Sequence, residues 1–164
     1  MKFKALVKFE KDRTLMVLEG WLDERAELPE LDEPVKGDLV LDLQGITLVN
    51  SLGVRNWIQW LKVLKVERDL KLIHCSPAFL KQVSTLQGFL NDRTKIESVF
   101  VPYFCEDCGR EGQLLVSIPK VGDPVHINAA PPEFKCSSCG MNMELDMIEA
   151  QYFTFLQKHK SKFS

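Results

Sequence analysis

The chain has no apolar run that approaches the ~18 unbroken residues a membrane-spanning helix needs; polar residues interrupt every stretch well before that length. Its start, Met1-Lys2-Phe3-Lys4-Ala5-Leu6-Val7-Lys8, also lacks the continuous apolar segment of a signal peptide. A cytoplasmic protein with no membrane association is therefore expected. A surplus of one charge is missing too: 21 Lys and Arg stand against 23 Asp and Glu, for a net charge of -2. That balance supplies no general pull toward nucleic acid or anionic lipid. Glycine-rich phosphate loops, nucleophile elbows and informatively spaced carboxylate pairs are absent, and His74, His126 and His159 are scattered without HExxH spacing. Turnover is not expected.

What is present is a soluble globular composition, 45% hydrophobic and 27% charged over 164 residues. That length accommodates a domain of about 100 residues plus a small stapled module. Phe3, Ala5, Val7 and Phe9 alternate with charged residues, the period-two pattern of a half-buried strand. The charged turn 10–13 and the apolar run Leu15 to Leu18 complete an antiparallel hairpin. Residues 22–36, acidic and containing Pro29 and Pro34, predict a short helix or an irregular connection.

Leu39 to Leu43 reads as a buried central strand closed by Gln44-Gly45, followed by the short run Ile46 to Val49. Asn50-Ser51 offers a helix N-cap. Val54, Trp57, Ile58 and Leu61 then share a helical face, and the helix is expected to reach about Arg68. Leu70 to Cys75 predicts another strand, Pro77 to Gly88 a helix, and Ile96 to Phe104 a last strand. Cys75 falls at a strand end as an inert core residue. The order β-β-β-α-β-α-β implies an α/β fold, a mixed sheet with helices packed on it.

Val40-Leu41-Asp42-Leu43-Gln44-Gly45-Ile46 and Val49-Asn50-Ser51-Leu52-Gly53-Val54 resemble the signature of STAS domains, the family of sulphate transporters and anti-sigma factor antagonists. Leu72 to Pro77 and Leu86-Gln87-Gly88-Phe89 resemble the family's next strand and helix, so the likeness covers residues 1–104. Asn50 stands where the family commonly has Asp, and Leu52 where it has Ser or Ala. The resemblance implies a bacterial partner-switching protein. Ser51 would be the residue phosphorylated by a dedicated serine kinase, and the unmodified form would bind that kinase or an anti-sigma factor. The residues alone assign Ser51 only as a cap. On the same helix Leu52 and Val63 lie on the side away from the apolar face, with Trp60 between the two sides; with Asn50 and Ser51 these five residues are the expected partner-binding patch. Packing of the C-terminal module over them is the alternative.

Residues 105–164 form the second unit. Cys105-Glu106-Asp107-Cys108-Gly109 and Cys136-Ser137-Ser138-Cys139-Gly140 are two CxxC knuckles, each followed by glycine. Four thiolates match tetrahedral Zn²⁺ and leave no open position, so a structural zinc ribbon is predicted. An iron–sulfur cluster would use the same ligands but is not required, and a redox dithiol would want a strand-to-helix junction at the CxxC. Strands are expected at Leu114 to Ile118 and through Met141, Met143, Leu145 and Met147. Ile148, Tyr152, Phe155 and Leu156 predict a C-terminal helix. The ribbon's charges are mixed, and Lys158, Lys160 and Lys162 only flank the tail. A zinc-ribbon nucleic-acid or transcription-machinery binder is thus the alternative to a protein-binding regulator.

Overall fold

The computed structural model describes residues 1–118 and 131–148. The predicted C-terminal helix lies outside them, as do His126 and His159. The hairpin forms as expected: β1 (Lys4–Phe9) pairs antiparallel with β2 (Arg13–Leu22). β3 (Asp38–Val49), β4 (Leu70–Ile73) and β5 (Thr94–Ile96) add to it in parallel, giving a mixed five-stranded sheet in chain order. Residues 23–36 contain no helix and run irregularly to an isolated bridge between Val35 and Val66.

β3 does not stop at Gln44-Gly45. β2 reaches Leu22, and two register shifts in the β2–β3 ladder absorb the irregularity, so the strand continues to Val49. Gly45 survives inside it because a Cβ there would lie 2.6 Å from the Glu19 side chain, a close approach that favours glycine.

Helix α1 (Ser51–Val63) and helix α2 (Pro77–Thr85) cover one face of the sheet. Trp57 of α1 joins them: its ring meets Phe79 edge-on at 5.1 Å and stacks on Phe89 at 5.8 Å. Its Nε1 donates to the Phe89 carbonyl at 2.9 Å, so the indole is buried with no polar atom orphaned. α1 ends at Val63 rather than Arg68. Val66 must be extended to bridge Val35, and the chain leaves the helix at Leu64 to reach it.

β6 (Ser98–Phe104) follows β5 after Glu97 and enters a second, antiparallel sheet. There it is flanked by β7 (Glu111–Ser117) and β8 (Glu144–Leu145). The two sheets are separate but are linked by an isolated bridge. Cys75 bridges Val99, and the Phe100 N–H donates to the Cys75 carbonyl at 2.8 Å. Val99, Val101 and Tyr103 are buried in the same core as Leu41, Leu72 and Phe79. β6 is thus a shared wall between the α/β sheet and the cysteine-bearing sheet.

Candidate functional site

The two CxxC knuckles have the same construction. In the first, the Cys105 N–H donates to the Arg110 carbonyl and the Gly109 N–H to the Cys105 carbonyl, at 2.9 and 2.8 Å. In the second, the Cys136 N–H donates to the Met141 carbonyl and the Gly140 N–H to the Cys136 carbonyl, at 2.8 and 2.9 Å. Closing each loop requires a left-handed residue after the second cysteine. Gly109 (φ 71°) and Gly140 (φ 76°) supply it without a Cβ penalty.

β6 delivers the first knuckle at its end. The second is set by a hairpin in which Lys135 bridges Asn142 and the Met143 N–H donates to the Phe134 carbonyl. Phe134 packs edge-on against Tyr103 of β6 at 5.2 Å, and the Tyr103 hydroxyl donates to the Pro132 carbonyl at 2.6 Å. The strand expected through Met141 to Met147 is only two residues long, but its pairing with β6 is what brings the knuckles face to face.

The four sulfurs lie within 4.8 Å of one another. Cys105 Sγ is 3.5 Å from Cys139 Sγ, and Cys108 Sγ is 3.6 Å from Cys136 Sγ. A tetrahedral ion with bonds of about 2.3 Å holds its sulfurs about 3.8 Å apart, so the cluster has the dimensions of a metal cage. Its electrostatics agree. The backbone N–H groups of Cys139 and Ser138 draw the Cys136 thiol down to about 6. The Met141 N–H pulls Cys139 the same way. The crowded sulfurs, led by Cys105, outweigh that pull and hold Cys139 up to about 12. Four thiols this close cannot all ionise unless a cation balances them, and a bound metal ion deprotonates its thiols outright. The residues present can therefore hold a metal ion. Cys105 and Cys136 are buried, Cys108 and Cys139 exposed.

Cys75 takes no part. It is wholly buried in the α/β core, and that burial pushes its thiol strongly upward.

Of the other predicted residues, Asn50, Ser51 and Leu52 stand at the start of α1, and Trp60 and Val63 in its last turn. Asn50 is the N-cap: its Oδ1 accepts from the Gly53 N–H at 2.8 Å, and its Nδ2 donates to Glu24 at 2.9 Å. The cap is therefore not Ser51, which is the first helical residue and is exposed. Leu52 is 48% exposed and Val63 73%. Trp60 departs from the expected patch. It is buried to 8%, 5.5 Å from the Trp57 ring, and its Nε1 donates to the Pro29 carbonyl. Among the described residues, the acidic segment 23–36 covers this side of α1, with its own Ala26 and Val35 buried. An irregular segment has no periodicity from which its resting place can be read.

His74 has a role that its isolation in the sequence concealed. It adopts φ 52°, its N–H donates to Ser98 Oγ at 2.8 Å, and its Nδ1 lies 3.0 Å from Asp42 Oδ2. Left-handed backbone in a non-glycine residue is uncommon, and these two partners hold it at the point where β4 meets β6.

No family model, curated protein or solved structure matches this chain. Among the described residues, no helix is long and apolar enough to cross a membrane.

Proposed function

We propose that the chain is a cytoplasmic, non-enzymatic regulatory protein of the STAS type. The surface around Ser51 engages another protein, and a structural zinc ion holds the ribbon together. The observation that carries this reading is the division of labour at the α1 terminus. Asn50 does the capping, which leaves the Ser51 hydroxyl on an exposed first-turn residue beside exposed Leu52. A phosphoryl group on Ser51 would add about 1.5 to 2 negative charges at pH 7. The first turn of α1 holds no acidic side chain of its own, so its N–H groups and dipole favour that anion. The fold need not change. A partner seated on Leu52 would meet a dianion in place of a hydroxyl, next to Glu24, and dissociate. The partner class is a regulatory protein such as a serine kinase or anti-sigma factor.

The test is a pull-down from the native cell with wild-type, Ser51→Ala and Ser51→Asp baits. A partner held by the first two and lost by the third is the expected result. Identical partners on all three baits would leave Ser51 without a switching role. Leu52→Glu should lose the same partner while stability to urea changes by no more than about 0.5 kcal/mol, as for an exposed site. A large loss of stability would instead place Leu52 in the packing of α1.

A further inference from the structure

The four cysteines are unequal, and the inequality follows a pattern. Each knuckle contributes one buried sulfur, Cys105 or Cys136, and one exposed sulfur, Cys108 or Cys139. The close contacts run across the knuckles and pair exposed with buried: Cys139 with Cys105 at 3.5 Å, Cys108 with Cys136 at 3.6 Å. An exposed thiolate with a second thiolate in van der Waals range is the arrangement of an attacking cysteine and its resolving partner. The knuckle tips give access, since Cys108 and Cys139 are exposed.

We propose that Cys108 and Cys139 are oxidation sites for a hydroperoxide, and that their modification ejects the metal and ties the two knuckles together by a disulfide. The inference rests on the metal-bound reading of the ribbon. In the first step the exposed thiolate attacks one peroxide oxygen. An S–O bond forms, the O–O bond breaks and hydroxide (or alkoxide) leaves, giving a sulfenic acid. In the second step the buried thiolate across the knuckle attacks that sulfur. The S–S bond forms, the S–O bond breaks and a second hydroxide leaves. Two thiolates are oxidised by two electrons and one peroxide is reduced; with two protons from solvent the hydroxides become water. Each S···S separation must close to about 2.05 Å, a movement the glycine-ended loops accommodate. With two of four ligands consumed, the ion has no stable site. A dithiol reductant reverses the process, because the disulfide precedes the irreversible sulfinic and sulfonic states.

Purified protein is first assayed for bound zinc and then treated with hydrogen peroxide in the presence of a chromophoric zinc chelator. Free thiols are counted and disulfides mapped by non-reducing peptide mass analysis. The expected result is loss of the whole zinc equivalent with Cys105–Cys139 or Cys108–Cys136 peptides, unreacted Cys75, and recovery of zinc binding after dithiothreitol and fresh zinc. Zinc retained at peroxide concentrations that oxidise a model zinc thiolate would overturn the proposal. So would release with disulfides confined to Cys105–Cys108 and Cys136–Cys139, or release by irreversible over-oxidation. Protein that neither contains zinc nor takes it up fails at the earlier step and removes the metal reading itself.

Discussion

Stripping the metal with a strong chelator is expected to abolish the ordered structure of the cysteine-bearing sheet while β1 to β4 remain folded. Structural zinc contributes roughly 10–16 kcal/mol to small four-ligand modules near neutral pH, which is comparable to the whole stability of a typical domain. The knuckles have little else to hold them. Apart from buried Cys105, Cys136 and Met143, and Phe134 against Tyr103, their residues project into solvent. Removing the ion also leaves four sulfurs within 4.8 Å with no cation to balance their charge.

β6 is where the damage should stop. Its Phe100 N–H is bonded to the Cys75 carbonyl, and the Glu97 N–H before it to the Leu72 carbonyl, so both are tied to the chain of the first unit. Its Val99 and Val101 side chains are sealed in the α/β core. Hydrogen exchange should therefore show β7 amides, Glu111–Ser117, losing protection on chelation while Glu97 and Phe100 keep theirs. Cys108→Ser should reproduce the chelated pattern. Cys75→Ser should not, since Cys75 lies outside the cage. Unchanged exchange in β7 after complete chelation, or equal damage from both variants, would contradict the assignment of the metal ligands.

The cage was legible in the chain because its chemistry is local. A CxxC followed by glycine specifies a knuckle by itself, and the left-handed Gly109 and Gly140 meet that requirement at both places. The alternating segments were legible for the same reason, and the mixed α/β sheet follows from their order. What escaped were features set by distant parts of the chain. Gln44-Gly45 has the composition of a strand end, yet the length of β3 is fixed by its ladder with β2. Trp60 falls between the two sides of the helical period, yet segment 23–36 folds over it and turns its indole inward. The shared position of β6 was hidden similarly, since a single apolar strand does not announce which of two sheets it will join. Asp42 and His74 are 32 positions apart, and only the parallel pairing of β3 with β4 brings them together.

Gly53→Ala is expected to cost on the order of 3 kcal/mol, although it replaces glycine by alanine inside a helix. In isolation that change favours the helix by about 1 kcal/mol. Here the sign reverses, because α1 crosses the end of β2 at Gly53. An added Cβ would sit 1.7 Å from the Leu22 carbonyl oxygen and 2.9 Å from the Asp23 nitrogen. Both are backbone atoms that cannot rotate away, so the helix itself must shift. Overpacking of this kind typically costs about 1–3 kcal/mol and sometimes more. The Leu22 carbonyl also accepts the Asn50 N–H at 3.2 Å, so moving the helix strains the contact that anchors its cap. Urea denaturation of the variant measures the loss directly, and unaltered or improved stability would mean that α1 does not approach β2 this closely. Because Ser51 and Leu52 lie between the cap and Gly53, the variant should also lose the partner. Leu52→Glu should lose it without the stability change. If Gly53→Ala keeps full partner binding despite its lost stability, the recognition surface lies away from the first turn of α1.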